Sequence, residues 1–160
     1  NSKLILKNST GENLKRLNNI IFNKFKKEQV DIEKITILPP TITREDHLDC
    51  YNQIDLALDT FPYPGVTTTF ESILMGVPVL TKKGFNFNSR CGESINNNIG
   101  MEEFIAENED DYFNKALAIQ KKKKFLKKLK LTMRDKFLKS NIYDPIKFTE
   151  DFSNLLKSLL

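Results

Sequence analysis

Short strand-like runs alternating with helix-like stretches predict an α/β fold, a Rossmann-like parallel sheet flanked by helices. Three observations carry this expectation. Apolar runs of strand length recur at Leu4–Lys7, Ile35–Leu38, Asp55–Asp59 and Val77–Thr81. Between and after them come stretches with apolar residues at helical spacing. Pro and Gly punctuate the joins, notably at Pro39-Pro40, Phe61-Pro62-Tyr63-Pro64-Gly65 and Gly76. The 160 residues are enough for one domain with its own core, so 1–160 is read as one folded lobe.

In chain order, Leu4–Lys7 is the first strand, and Ser9-Thr10-Gly11-Glu12 fits a capping box for the helix that follows. That helix carries Leu14, Leu17, Ile20, Ile21 and Phe25 on one face. After Ile35–Leu38, Thr43 is placed to cap a helix from Arg44 to Asn52. The third strand, Asp55–Asp59, leads through a loop stiffened by two prolines to a helix that starts at Thr67 or Thr68 and ends at Gly76. Val77–Thr81 is the fourth strand, with Pro78 near its start where a missing donor is tolerated. Helices are expected over 89–98, 110–121, 125–139 and 146–159. The sheet core is expected from Leu4, Leu6, Ile35, Ile37, Leu56, Leu58, Val79 and Leu80. In parallel α/β sheets, ligands sit beyond the carboxyl ends of the strands, which points to the loops after Leu38, Asp59 and Leu80.

Composition narrows the function classes. No apolar run approaches membrane-span length, and the first residues are too short and polar for a signal peptide. The first strand begins almost without a lead-in, so upstream sequence is expected. Cys50 and Cys91 form no metal-ligand spacing with the single histidine, so no metal site is expected and a reducing, cytoplasmic setting is the simpler reading. The net charge of +4 is uneven, with nine lysines and Arg134 against Asp135 between Lys121 and Lys139. Phe125, Leu126, Leu129, Met133 and Phe137 run through that stretch at helical spacing, so it reads first as a solvated helix face. An RNA-binding surface is the competing reading, but no RNA motif or aromatic platform accompanies the lysines.

The chemistry concentrates between Asp59 and Glu71. Thr67, Thr68 and Thr69 sit where loop becomes helix, and a helix start offers unpaired amides and a partial positive charge suited to a diphosphate. Glu71 lies three residues after Thr68 and has two readings. It completes a Thr-x-x-Glu capping box with Thr68, or it accepts hydrogen bonds from ribose hydroxyls. His47, the only histidine, can stack on a flat base, with Arg44 one turn earlier on the same face. Lys82, Lys83 and Arg90 flank the loop 82–90 and form a candidate anion-facing rim.

The run Asp55-Leu56-Ala57-Leu58-Asp59-Thr60-Phe61-Pro62-Tyr63-Pro64-Gly65-Val66-Thr67-Thr68-Thr69 resembles the signature of the O-linked N-acetylglucosamine transferases and the plant SPINDLY-like proteins. So do Met75–Thr81, Gly84, Ser89-Arg90, Ile99–Ala106 and Asp111-Tyr112, and the resemblance covers essentially the whole chain. It implies a two-lobed GT-B glycosyltransferase, of which this chain is similar to the C-terminal, nucleotide-binding lobe. The N-terminal lobe of the same polypeptide, and the tetratricopeptide repeats that often precede it, would lie outside the chain. By the resemblance His47 lies near uracil, Arg44 at the same base-binding edge, Thr67 and Thr68 on the diphosphate, and Glu71 on the ribose. Three positions depart from the animal enzyme. Val66 replaces a histidine, Cys50 a basic residue, and Glu71 an aspartate.

The resulting expectation is the UDP-sugar-binding part of an inverting protein O-glycosyltransferase. It would move N-acetylglucosamine from UDP-N-acetylglucosamine to Ser or Thr without a metal. A protein acceptor is the expected partner, and neither nucleic acid nor membrane is. The alternative from a different class is a noncatalytic nucleotide-sugar-binding or regulatory domain. No residue of the chain is assigned as catalytic.

Overall fold

The computed structural model describes residues 2–7 and 13–159, which divide into two compact units, residues 1–50 and 51–160. The capping box expected at Ser9–Glu12 lies outside the described residues.

In the first unit, β1 (Leu4–Lys7) and β2 (Ile35–Leu38) pair in parallel, Leu4 opposite Ile35 through Lys7 opposite Leu38. A parallel pair needs a crossover, which α1 (Leu14–Lys27) supplies. Its last turn carries Lys24, Lys26 and Lys27, a favourable sign of charge at the carbonyl end of the helix. Asp31 then accepts from Glu33 N at 3.1 Å, capping the 3₁₀ turn before β2. Helix α2 (Arg44–Asp49) is capped as the sequence predicts, Thr43 Oγ1 accepting from Asp46 N at 3.1 Å. It is shorter than expected, because residues 50–53 tighten into a 3₁₀ turn.

The second unit is built on a three-stranded parallel sheet in the order β3 (Ala57–Leu58), β4 (Val79–Lys82), β5 (Ile105–Ala106). Its helices are α3 (Thr67–Leu74), α4 (Cys91–Asn98), α5 (Glu109–Ile119), α6 (Lys123–Leu138) and α7 (Pro145–Ser158). Ile73, Leu80, Ile99, Met101, Phe104 and Met133 form the heart of its core. Buried Asn96 donates to Val79 O at 2.9 Å and Phe104 O at 3.3 Å, so this polar group ties α4 to the sheet at no unsatisfied cost. Gly76 ends α3 at φ 79°, and a Cβ there would stand 2.4 Å from the Lys130 carbonyl oxygen of α6. Both the left-handed turn and the close helix approach therefore require glycine.

Several expectations change. The strands belong to two parallel sheets rather than one. The third strand contracts from Asp55–Asp59 to two residues, and Leu58, expected in the core, is 48% exposed. Among the described residues β3 pairs with β4 alone, as an edge strand does, and such strands are covered less fully than central ones. Leu4, Leu6 and Ile37 are half-buried, while Ile35, Val79 and Leu80 are buried as expected. β5 was not anticipated, since a two-residue strand is too short to show a period.

The basic stretch behaves largely as a helix face. Leu126, Leu129, Met133 and Phe137 are buried on one side of α6. Two of its lysines are tied to backbone oxygens, Lys130 Nζ donating to Asn52 O at 3.1 Å and Lys136 Nζ to Gly100 O at 2.6 Å. No helix among the described residues is long and apolar enough to cross a membrane.

Candidate functional site

The carboxyl end of β3 leads into a tightly bonded turn. Asp59 N donates to Leu80 O at 2.9 Å, which extends the β3–β4 pairing by one residue. Thr60 Oγ1 donates to Tyr63 O at 3.0 Å across the next residues, and the Phe61-Pro62 peptide is cis. The chain then returns to Asp59, whose Oδ1 accepts from Gly65 N at 2.7 Å. A Cβ on Gly65 would lie 2.3 Å from Thr68 Oγ1, so glycine lets the first turn of α3 close over this loop.

The three threonines at the start of α3 take different roles. Thr69 is buried and donates its hydroxyl to Gly65 O at 3.0 Å. Thr67 and Thr68 are exposed on the first turn. The N-cap is Val66, which offers no side-chain acceptor, and the first backbone bond runs from Phe70 N to Val66 O at 3.0 Å. Thr68 is therefore inside the helix, and the Thr68–Glu71 capping box does not form. Glu71 is buried on the next turn, at 8% exposed. This helix start combines first-turn amide donors with two exposed threonines, groups of the kind a diphosphate accepts hydrogen bonds from.

Arg44 and His47 lie in the first unit, on the same face of α2 one turn apart. Arg44 is exposed and His47 half-buried. His47 Nδ1 meets Lys7 Nζ, which also donates to Thr41 Oγ1 at 2.9 Å. An ammonium can only donate, so Nδ1 is the acceptor and Nε2 carries the ring proton. Sequence reasoning missed Lys7, since the bond joins the end of β1 to a helix forty residues later.

The candidate cationic rim is already neutralised. Lys82 pairs with Glu109 at 3.1 Å, Lys83 with Glu107 at 2.6 Å, and Arg90 with Glu93 at 3.0 Å. The hydrogen bond to Glu107 holds Lys83 above its ordinary range, and that to Glu93 does the same for Arg90. These three cations are therefore not an open anion-binding rim, and Lys82 also lies 4.0 Å from the centre of the Phe61 ring. Beyond them a cleft of about 650 Å³ opens between the start of α3, the exposed Phe85 and Phe87, and α4. No cluster of three His, Cys, Asp or Glu side chains that could hold a metal occurs among the described residues.

Asp59 is bonded at its carboxylate and at its backbone carbonyl. Its second oxygen accepts from Thr81 Oγ1 at 2.9 Å, and its carbonyl accepts from Tyr112 OH at 2.8 Å. Burial raises its carboxyl above the usual range, against the opposing bonds from Gly65 and Thr81. Tyr112 is likewise raised, chiefly by burial and further by the Asp59 charge.

Comparison of the whole chain with known proteins places it in a family. The family model for glycosyl transferase family 41 matches residues 15–152. The chain belongs to glycosyl transferase family 41. A relative from Eustoma exaltatum subsp. russellianum, the probable UDP-N-acetylglucosamine–peptide N-acetylglucosaminyltransferase SPINDLY, is 37% identical over 134 residues. That match covers 82% of this chain and 15% of the relative. The protein of the same name from Solanum lycopersicum is 35% identical over 82% of this chain and 14% of its own length. A mutant O-GlcNAc transferase of Thermobaculum terrenum has a solved structure that matches 98% of this chain, at TM-score 0.85 and 29% identity. The chain covers 30% of that structure. Its α/β architecture, parallel sheets flanked by helices, is thus that of a GT-B-like C-terminal lobe, and it spans about a seventh of the family 41 relatives it matches.

Proposed function

We propose that this chain is the donor-binding part of a cytoplasmic protein O-glycosyltransferase of family 41. The donor is a UDP-sugar, UDP-N-acetylglucosamine in the first instance, and the acceptor is a Ser or Thr of a protein. The observation that carries the reading is the start of α3, where exposed Thr67 and Thr68 stand on a first turn with no side-chain cap. The names of the relatives supply the donor and the acceptor class.

In this reading the amides and hydroxyls of the first turn bind the diphosphate, and the positive end of the helix favours its charge. The acceptor hydroxyl displaces the diphosphate at the anomeric carbon with inversion. Charge grows on the departing diphosphate as that bond breaks, so the same donors bind the transition state more tightly than the donor sugar. Glu71 serves the ribose, and Arg44 and His47 serve the base, with His47 held in one tautomer by Lys7. The base that takes the acceptor's proton is assigned to no residue of this chain. The remaining lobe and the acceptor-recruiting segments belong to the rest of a longer polypeptide.

Titration of UDP, GDP and ADP into the 160-residue chain tests this reading. UDP binds selectively, and Thr67→Ala with Thr68→Ala raises Kd about tenfold or more, the usual effect of losing hydrogen bonds to a charged group. His47→Ala and Arg44→Ala each weaken binding as well. Selective UDP binding untouched by all of these places the pocket elsewhere, and a preference for GDP or ADP overturns the choice of base. Saturable binding without transfer in the full-length polypeptide supports a noncatalytic domain instead.

A further inference from the structure

We infer that Asp59 is a positioning residue: it clamps the Gly65–Thr69 turn to the sheet and so sets the diphosphate-binding geometry at the start of α3. This rests on the proposed function above and adds to it a residue that does not touch the ligand.

The carboxylate is bonded on both oxygens by groups from different parts of the chain. Oδ1 accepts from Gly65 N at 2.7 Å, immediately before the helix, and Oδ2 accepts from Thr81 Oγ1 at 2.9 Å in the central strand. Thr81 is 1% exposed, so the second bond anchors the clamp in the part of the sheet least able to move. Gly92, on the first turn of α4, closes the arrangement. A Cβ there would lie 2.8 Å from Asp59 Oδ2 and 2.3 Å from Thr81 Oγ1, so α4 packs directly on the clamp. The Asp59 carbonyl accepts from Tyr112 OH at 2.8 Å, and Phe61 of the loop packs edge-on against the Tyr112 ring at 5.5 Å. Strand, loop, central strand and two helices therefore converge on one residue. The carboxylate thereby fixes Gly65 N, and the Gly65 carbonyl in turn accepts the Thr69 hydroxyl at 3.0 Å. Thr67 and Thr68 lie between these two fixed points.

Asp59→Ala removes both acceptors. Asp59→Asn keeps one for Gly65 N and turns the other into a donor, which the Thr81 hydroxyl meets by rotating. Hydrogen exchange of the 160-residue chain, read residue by residue, is compared with nucleotide affinity. Asp59→Ala speeds exchange at residues 65–69 about tenfold or more while the α6 amides stay protected, and raises the Kd for UDP about tenfold. Asp59→Asn recovers most of both effects. If Asp59→Ala does not fold, Thr81→Val, which removes one arm only, gives the same local pattern at smaller amplitude. Unchanged exchange at 65–69, or an equal rise throughout residues 51–159, overturns the clamp. A local rise with UDP affinity unchanged overturns its positioning role. If the parent chain binds no nucleotide while the exchange pattern holds, the proposed function fails and the clamp alone stands.

Discussion

Gly92→Ala sets two physical effects against each other, and their sign decides whether the packing described here is right. Gly92 is the second residue of α4. By helix propensity alone, alanine there stabilises by up to about 1 kcal/mol. The structure predicts the opposite. The new methyl would stand 2.3 Å from Thr81 Oγ1, 2.9 Å from Thr81 Cβ and 2.8 Å from Asp59 Oδ2, where ordinary contact begins at 3.4 Å. None of these atoms is the free end of a long side chain. Thr81 lies in the central strand at 1% exposed, and Asp59 is bonded on both oxygens. Overpacking of this kind costs about 1–3 kcal/mol. Loss of the Thr81–Asp59 bond adds about 1.5–3 kcal/mol, as is usual for a hydrogen bond to a charged group. Set against the propensity gain, the net loss is roughly 1.5–5 kcal/mol. Urea unfolding of the parent, Gly92→Ala and the exposed control Ser94→Ala measures it. Ser94→Ala should stay within about 0.5 kcal/mol of the parent. A Gly92→Ala chain as stable as the parent, or more stable, refutes the close packing of α4 on the clamp.

Gly76→Ala should destabilise by roughly 2–4 kcal/mol, because a left-handed alanine and a methyl against the Lys130 carbonyl combine; an unchanged urea midpoint would contradict both. Asp59 and Asp111 should give opposite pH dependences of stability. Burial raises Asp59, so the native chain binds its proton first. Its charged form therefore weakens the fold at neutral pH, and stability relative to Asp59→Asn rises as pH falls through the native value, complete below about 3.8. Asp111 is lowered by the bond from Glu107 N and then by Lys115, so its contribution is present above about 3.8 and is lost as pH falls through the lower native value. Urea midpoints between pH 3 and 7 for Asp59→Asn and Asp111→Asn check this, and parallel curves for the two variants would contradict the assignment. Lys7→Met removes the Lys7 donor to His47 Nδ1; the Nδ1 nitrogen NMR shift should move as that hydrogen bond is lost, and an unchanged shift would contradict the bond.

Much of the architecture was legible because its signals are local. The helical spacing of Leu126, Leu129, Met133 and Phe137 identified the buried face of α6, and Thr43 marked the start of α2. Thr67 and Thr68 were placed on a helix start by the loop before them, and they are there. Whether Thr68 and Glu71 form a capping box was not legible. It depended on Val66 being the cap, which the return of Gly65 to Asp59 decides from six residues away. The rim of Lys82, Lys83 and Arg90 misled for a related reason. Charges add up along a sequence, but Glu107 and Glu109 reach the two lysines only once β5 lies beside β4.

Periodicity, turn residues and one long signature thus sufficed to determine the class of fold and the family resemblance. These depend on neighbours a few residues apart, which the chain presents whatever it later packs against. Tertiary structure alone decided that Asp59 holds the turn, that Lys7 sets the His47 tautomer, and that the surface cations are paired. Each of those depends on hydrogen bonds or ion pairs between groups brought together only by folding, and a carboxylate's role follows from the donors that face it.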